Sequence, residues 1–164
     1  MSLTGTGVIL LEDGKLVHQE LIKSKPTDNN KDELKRLLKI RDDIGLIPKV
    51  DIAVIEGLAF AIRNSTSLVQ LSGLNYLVRE RLYDLNIPFV IVAPTSLKKF
   101  LTNKGNSQKD EVMLACYKRY HVTFKDNNLA DAYGLARIGE ALLDKEVKLT
   151  SIQEEVIELL KKQI

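Results

Sequence analysis

The feature that most constrains this chain is the segment Asp51-Ile52-Ala53-Val54-Ile55-Glu56, four consecutive apolar residues between two acids. It lacks the apolar/polar alternation of a strand with one face in water. A run of this kind must be covered on both faces, which is the environment of a parallel strand between helical layers. Pro88 to Val92 repeats the pattern. Between the two lies Thr66 to Leu85, a long amphipathic stretch that reads as the helix connecting them.

The remaining elements fit around that unit. Gly7 to Leu11 is a short apolar run of β type, Asp13-Gly14 is a favourable hairpin pair, and Lys15 to Lys23 completes a β-hairpin. After the polar stretch 24–31, Asp32 is placed to cap a helix to about Ile44, with Leu34, Leu37, Leu38 and Ile40 on one side and Gly45 and Pro48 ending it. Ser96 to Leu101, Ser107 to Tyr120, Asn128 to Leu143 and Ser151 to Lys162 read as helices. The expected fold is α/β: a mixed sheet, made of an N-terminal hairpin and parallel strands, flanked by helices. Residues 1–145 form the expected domain, and residues 146–164 a C-terminal helix packed on it or extending it.

At 164 residues the chain can bury one substantial core. Its 45% hydrophobic and 28% charged residues belong to a soluble globular protein. No run approaches the ~18 apolar residues of a membrane span, and no signal-peptide pattern opens the chain. The single cysteine, Cys116, points to a reducing, cytoplasmic setting and reads as a small core residue. His18 and His121 stand alone and read as structural. A net charge of +2 says little about partners, but the C-terminal half carries local basic clusters at Lys98, Lys99 and Lys104, at Lys109, and at Lys118 and Arg119.

Three places can carry chemistry. Glu56 ends a buried strand just before Gly57, and the carboxyl ends of such strands are where open α/β sheets bind ligands. Taken alone, it equally suits an acid exposed to water. In Asn128-Leu129-Ala130-Asp131-Ala132, Asn128 and Asp131 share one helix face, with small residues that let the helix lie close against a sheet. Alone, Asp131 equally suits an acid placed for the helix dipole. Pro94-Thr95-Ser96 is placed to cap a short helix bearing Lys98 and Lys99. The loop Thr102-Asn103-Lys104-Gly105-Asn106 then leads to Lys109, offering ammonium and N–H groups to phosphates.

In this order the parts resemble the RuvC-like Holliday-junction resolvases of the RNase H fold, with the phage-type branch the nearer. The resemblance rests on Val54-Ile55-Glu56, then Phe60, Arg63 and Asn64, then Pro94 with Lys98 and Lys99, then Gly105 before Lys109, and last Asp131-Ala132. The spacing of Phe60, Arg63 and Asn64 is about one residue longer than the family pattern. No single piece is specific; the ordered set is.

The resemblance implies a structure-specific endonuclease that cuts four-way DNA junctions by phosphodiester hydrolysis with two Mg²⁺ ions, Mn²⁺ being a substitute. It implies metal ligation by Glu56, Asp131 and Asn128, a catalytic role at the phosphate for Lys109, and DNA contacts from Phe60, Arg63, Asn64, Lys98, Lys99, Lys104 and Lys109. It also implies a homodimer through the Thr66–Leu85 helix, matching the two-fold symmetry of a junction. Phe60 equally suits core packing.

Two departures bear on activity. The family opens with a strand ending in Asp, followed by a turn for which Ser2-Leu3-Thr4-Gly5-Thr6-Gly7 stands here. That Asp would fall one residue before Met1. The expectation is that this central strand is absent, through a start set too late, a truncation or a tag, and that cleavage is impaired. The hairpin Gly7–Lys23 and the strand Asp51–Glu56 should then flank an empty slot, closed by residues 1–6 or by a neighbouring chain. Second, Asn128 stands where an acid is common. The alternatives are a non-catalytic branched-DNA-binding protein, another RNase H-fold nuclease acting on RNA or flaps, and an ATPase of the sugar-kinase and actin type suggested by Gly5-Thr6-Gly7.

Overall fold

A computed structural model describes residues 3–26, 29–45, 50–58 and 66–164. Strands β1 (Gly5–Glu12) and β2 (Lys15–Lys23) form the expected hairpin. Asp13 and Gly14 both take positive φ, 47° and 74°, as a tight turn compatible with strand twist requires. Helix α1 (Asn30–Gly45) follows. Its cap is Asn29, whose Oδ1 accepts from the Asp32 N–H at 2.9 Å, and not Asp32 as the sequence suggested. An Asx side chain reaches the N–H three residues on, so the residue before the helix fills that role.

Strand β3 (Ala53–Glu56), helix α2 (Thr66–Asp84) and strand β4 (Phe89–Val92) form the strand–helix–strand unit, with β3 and β4 parallel. Helices α3 (Pro94–Thr102), α4 (Lys109–Tyr120), α5 (Asn127–Leu143) and α6 (Ser151–Lys161) complete the chain. At α3 the expected Thr/Ser cap does not form. Ala93 is the N-cap without a side-chain bond, and Pro94 sits in the first turn, where its fixed φ fits and its missing N–H costs nothing.

The strands separate two cores. On one side Val90 and Val92 pack with Leu97, Phe100, Tyr133 and Ile138 of the C-terminal helices. On the other, Ile55 packs with Leu37, Ile40, Leu74 and Val78 of α1 and α2. Successive side chains of a strand point to opposite faces, which is why the run Ala53 to Ile55 is apolar throughout. Cys116 is fully buried, and its thiol is pushed up to about 11, mainly by burial. His18 lies 3.6 Å from Glu20, and His121 ends α4 in the left-handed region at φ 57°.

The two strand pairs are separate: among the described residues β1 pairs only with β2, and β3 only with β4. Between β1 and β3 runs a cleft of about 1140 Å³, walled by Thr6–Gly14 and Val50–Glu56 and by faces of α2 and α5. The slot expected between hairpin and strand is therefore present. Residues 3–6 do not close it. Gly5 and Thr6 belong to β1, and the Leu3 carbonyl accepts from Arg36 at 2.6 Å and from Ser24.

Candidate active site

The carboxyl ends of β3 and β4 finish level, because the Gly57 N–H donates to the Val92 carbonyl at 2.7 Å. Glu56 stands at that edge. The fully buried Asn75 of α2 fixes its backbone, donating from Nδ2 to the Glu56 carbonyl at 3.1 Å. Sequence reasoning missed Asn75. Its signal was a lone amide among the apolar positions that turn α2 towards the sheet.

Helix α5 brings the second acid. Asp126 caps it, accepting from the Asn128 N–H at 2.8 Å and from Asn128 Nδ2 at 2.9 Å. The Asn128 amide NH₂ is thus directed at Asp126, and Oδ1 is the atom this side chain can offer a cation. Close packing holds the helix in place. A Cβ on Gly7 would fall 2.2 Å from the Asn128 carbonyl oxygen, and one on Gly134 would fall 2.5 Å from Leu101 Cδ1. Only glycine lets β1 and α3 approach this closely.

Glu56 and Asp131 meet electrostatically. Burial raises the Asp131 carboxyl to about 6, the Glu56 charge adds to the rise, and Lys109 and Lys98 oppose it. Two acids and two lysines from β3, α5, α3 and α4 therefore share one field at the sheet's carboxyl edge. Glu56, Asn128 and Asp131 also lie on the wall of the cleft.

Lys109 is exposed in the first turn of α4. The loop before it is ordered by Thr102 Oγ1, 2.6 Å from Ser107 Oγ and 3.0 Å from the Lys104 carbonyl. Gly105 lies against Thr95 at the start of α3, which carries the loop to the same edge, and Lys104 is exposed on it. Lys99 points elsewhere, pairing with Glu155 of α6 at 2.6 Å. Phe60, Arg63 and Asn64 lie outside the described residues.

The donor set suits a hard divalent cation. Carboxylate and amide oxygens are what Mg²⁺ takes, and a dication would relieve the crowding of two acids. The set is also small: among the described residues, no group of three or more His, Cys, Asp or Glu side chains is placed to hold a metal ion.

No protein-family model matches the chain, and no curated protein matches it. Solved structures do. The chain is similar to the structure of Thermus thermophilus RuvC, with 18% identity, 80% of this chain and 82% of that one covered, and a TM-score of 0.61. It is also similar to T. thermophilus RuvC in complex with Holliday junction substrate, with 19% identity, 82% and 85% covered, and a TM-score of 0.65. The fold is therefore RuvC-like: a mixed α/β architecture with an N-terminal antiparallel hairpin, a parallel strand pair and, among the described residues, six helices.

Proposed function

We propose that this chain is a structure-specific DNA endonuclease directed at four-way junctions. The observation that carries the reading is the convergence of Glu56 and Asp131 with Lys98 and Lys109 at the carboxyl edge of a RuvC-like fold. One of the similar structures contains a Holliday junction, and the basic groups here suit such a polyanion.

In this reading Glu56, Asp131 and Asn128 Oδ1 hold Mg²⁺, with Mn²⁺ as a substitute. When bound, such ions activate water and stabilise the leaving oxygen in phosphodiester hydrolysis. Asn75 keeps Glu56 at the strand end. Lys109 and Lys98 hold the phosphate beside the acids, and Lys104 holds the backbone further out. Phe60, Arg63 and Asn64 are assigned to the junction by the resemblance alone. With two carboxylates placed there among the described residues, cation binding is weak and cleavage slow.

A homodimer fits this role. Val69, Tyr76 and Tyr83 recur every seventh residue along α2 and are 72%, 66% and 77% exposed. A sustained apolar stripe of that period suits a helix-to-helix contact.

One observation favours a second reading, a branched-DNA-binding protein without catalysis: the small donor set among the described residues. Incubating the chain with a labelled four-way junction and with a linear duplex of equal length, in Mg²⁺ and in EDTA, separates the two. Slow, Mg²⁺-dependent cutting of the junction, lost in Glu56→Gln, supports the endonuclease. Junction binding without cutting supports the second reading. Equal binding of both DNAs overturns both.

A further inference from the structure

The start of α5 carries a third acid, half-buried and two residues before Asn128. Asp126 is the N-cap of the helix. A capping side chain ordinarily satisfies one orphan backbone N–H. Here a single carboxylate oxygen takes two donors from one residue: Asp126 Oδ1 accepts from the Asn128 backbone N–H at 2.8 Å and from Asn128 Nδ2 at 2.9 Å. The first bond caps the helix. The second adds nothing to the cap; it commits the NH₂ of Asn128 to a charge and so decides which way the amide faces.

Residue 128 is held from a second side. The Cβ that Gly5 lacks would fall 3.3 Å from Asn128 Nδ2, and the one that Gly7 lacks would fall 2.2 Å from the Asn128 carbonyl oxygen. β1 therefore closes over this residue, and its amide has little room to turn.

The consequence is electrostatic. A hydrogen bond to a carboxylate is stronger than one between neutral groups. A donor polarised at one end of an amide makes the oxygen at the other end a better acceptor. An amide oxygen with an anion behind it is thus a stronger cation ligand than an isolated amide. The same contact explains why the side chain at 128 is neutral. An Asp there would set a second carboxylate against Asp126 Oδ1, at a distance now bridged by a hydrogen bond, with no proton between them.

We propose that Asp126 is a positioning residue of the cation site. It orients the Asn128 amide and relays through it a third negative charge, beside those of Glu56 and Asp131. This rests on the reading of Glu56, Asn128 and Asp131 as the residues that hold the cation.

The test compares the full native chain with Asp126→Asn, Asn128→Asp and the double variant. Mn²⁺ affinity is read by electron paramagnetic resonance, and melting temperature is read in EDTA. Asn caps a helix about as well as Asp, so Asp126→Asn should melt with the native chain. It should nevertheless bind Mn²⁺ about tenfold more weakly, as when a ligand loses the partner that orients it. Asn128→Asp should melt lower in EDTA, because two carboxylates then face each other. In the double variant the amide introduced at 126 can donate to the carboxylate introduced at 128, and Mn²⁺ affinity should return to the native value or exceed it. Native affinity in Asp126→Asn, with Glu56→Gln weakened, would reduce Asp126 to a cap and overturn the proposal while the cation site stands. An Asn128→Asp chain that melts with the native one overturns it too, since the two positions would be uncoupled. If Asp126→Asn also melts lower, the double variant decides: recovered affinity supports the proposal, and affinity no better than that of Asp126→Asn overturns it. A native chain without saturable Mn²⁺ binding overturns the cation reading and this proposal together.

Discussion

Burial and, after it, the charge of Glu56 at the end of β3 raise the pKa of Asp131 in the second turn of α5, although the two acids lie far apart in sequence. The carboxyl edge of the sheet brings them together, and Asp131 is too buried for water to screen the repulsion fully. The fold thus holds an electrostatic tension that a bound dication would release.

A pH dependence follows. The Asp131 carboxyl is raised from 3.8 to about 6 on folding, so the folded state favours its protonated form. The stability contributed by this group is fully present below about pH 4 and is lost as pH rises through about 6. Asp131→Asn removes the loss and should raise stability at pH 7 by roughly 1–2 kcal/mol. Urea unfolding at pH 4, 6 and 7.5 checks it: the gain should be largest at the highest pH and absent at the lowest.

Gly7→Ala tests the fit of β1 against α5. The added methyl would meet the Asn128 carbonyl carbon and oxygen, both backbone atoms. The expected cost is about 1–3 kcal/mol, visible as a lower melting temperature.

The lysines should divide by position. Lys109→Ala should weaken junction binding and reduce the slope of log affinity against log salt by about one. Lys99→Ala should leave that slope unchanged, because Lys99 is occupied by Glu155. Fluorescence anisotropy at several salt concentrations reads both.

The exposed stripe on α2 gives a fourth expectation. Tyr76→Glu places a charge between Val69 and Tyr83; if the proposed homodimer forms through this stripe, the native chain should sediment as a dimer and the variant as a monomer in analytical ultracentrifugation, with thermal stability of the monomer nearly unchanged because Tyr76 is 66% exposed.

Much of this was legible in the sequence where local pattern decides. The uninterrupted apolar run of β3, the Asp13-Gly14 turn and the small residues of α5 each state their own structure, and the acids at Glu56 and Asp131 stand out against such surroundings. Capping was less legible, since Asn29 and Asp32 both suit a helix start and only the reach of the Asn29 side chain to the Asp32 N–H chooses between them. The partner of Lys99 could not be read at all, because Glu155 comes to it from a separate helix. Nor could the role of Asn75, which depends on where the end of β3 lies in space.

The most direct measurement is Mn²⁺ binding, followed by electron paramagnetic resonance, to the native chain, to Glu56→Gln and to Asp131→Asn. If the two acids share a cation, the native chain binds Mn²⁺ saturably and each single variant loses at least tenfold in affinity. The double variant then loses little more than either, because residues of one site are not additive. Native-like binding by both single variants would show that Glu56 and Asp131 form no common site, and the assignment of metal-dependent chemistry to this edge would be wrong.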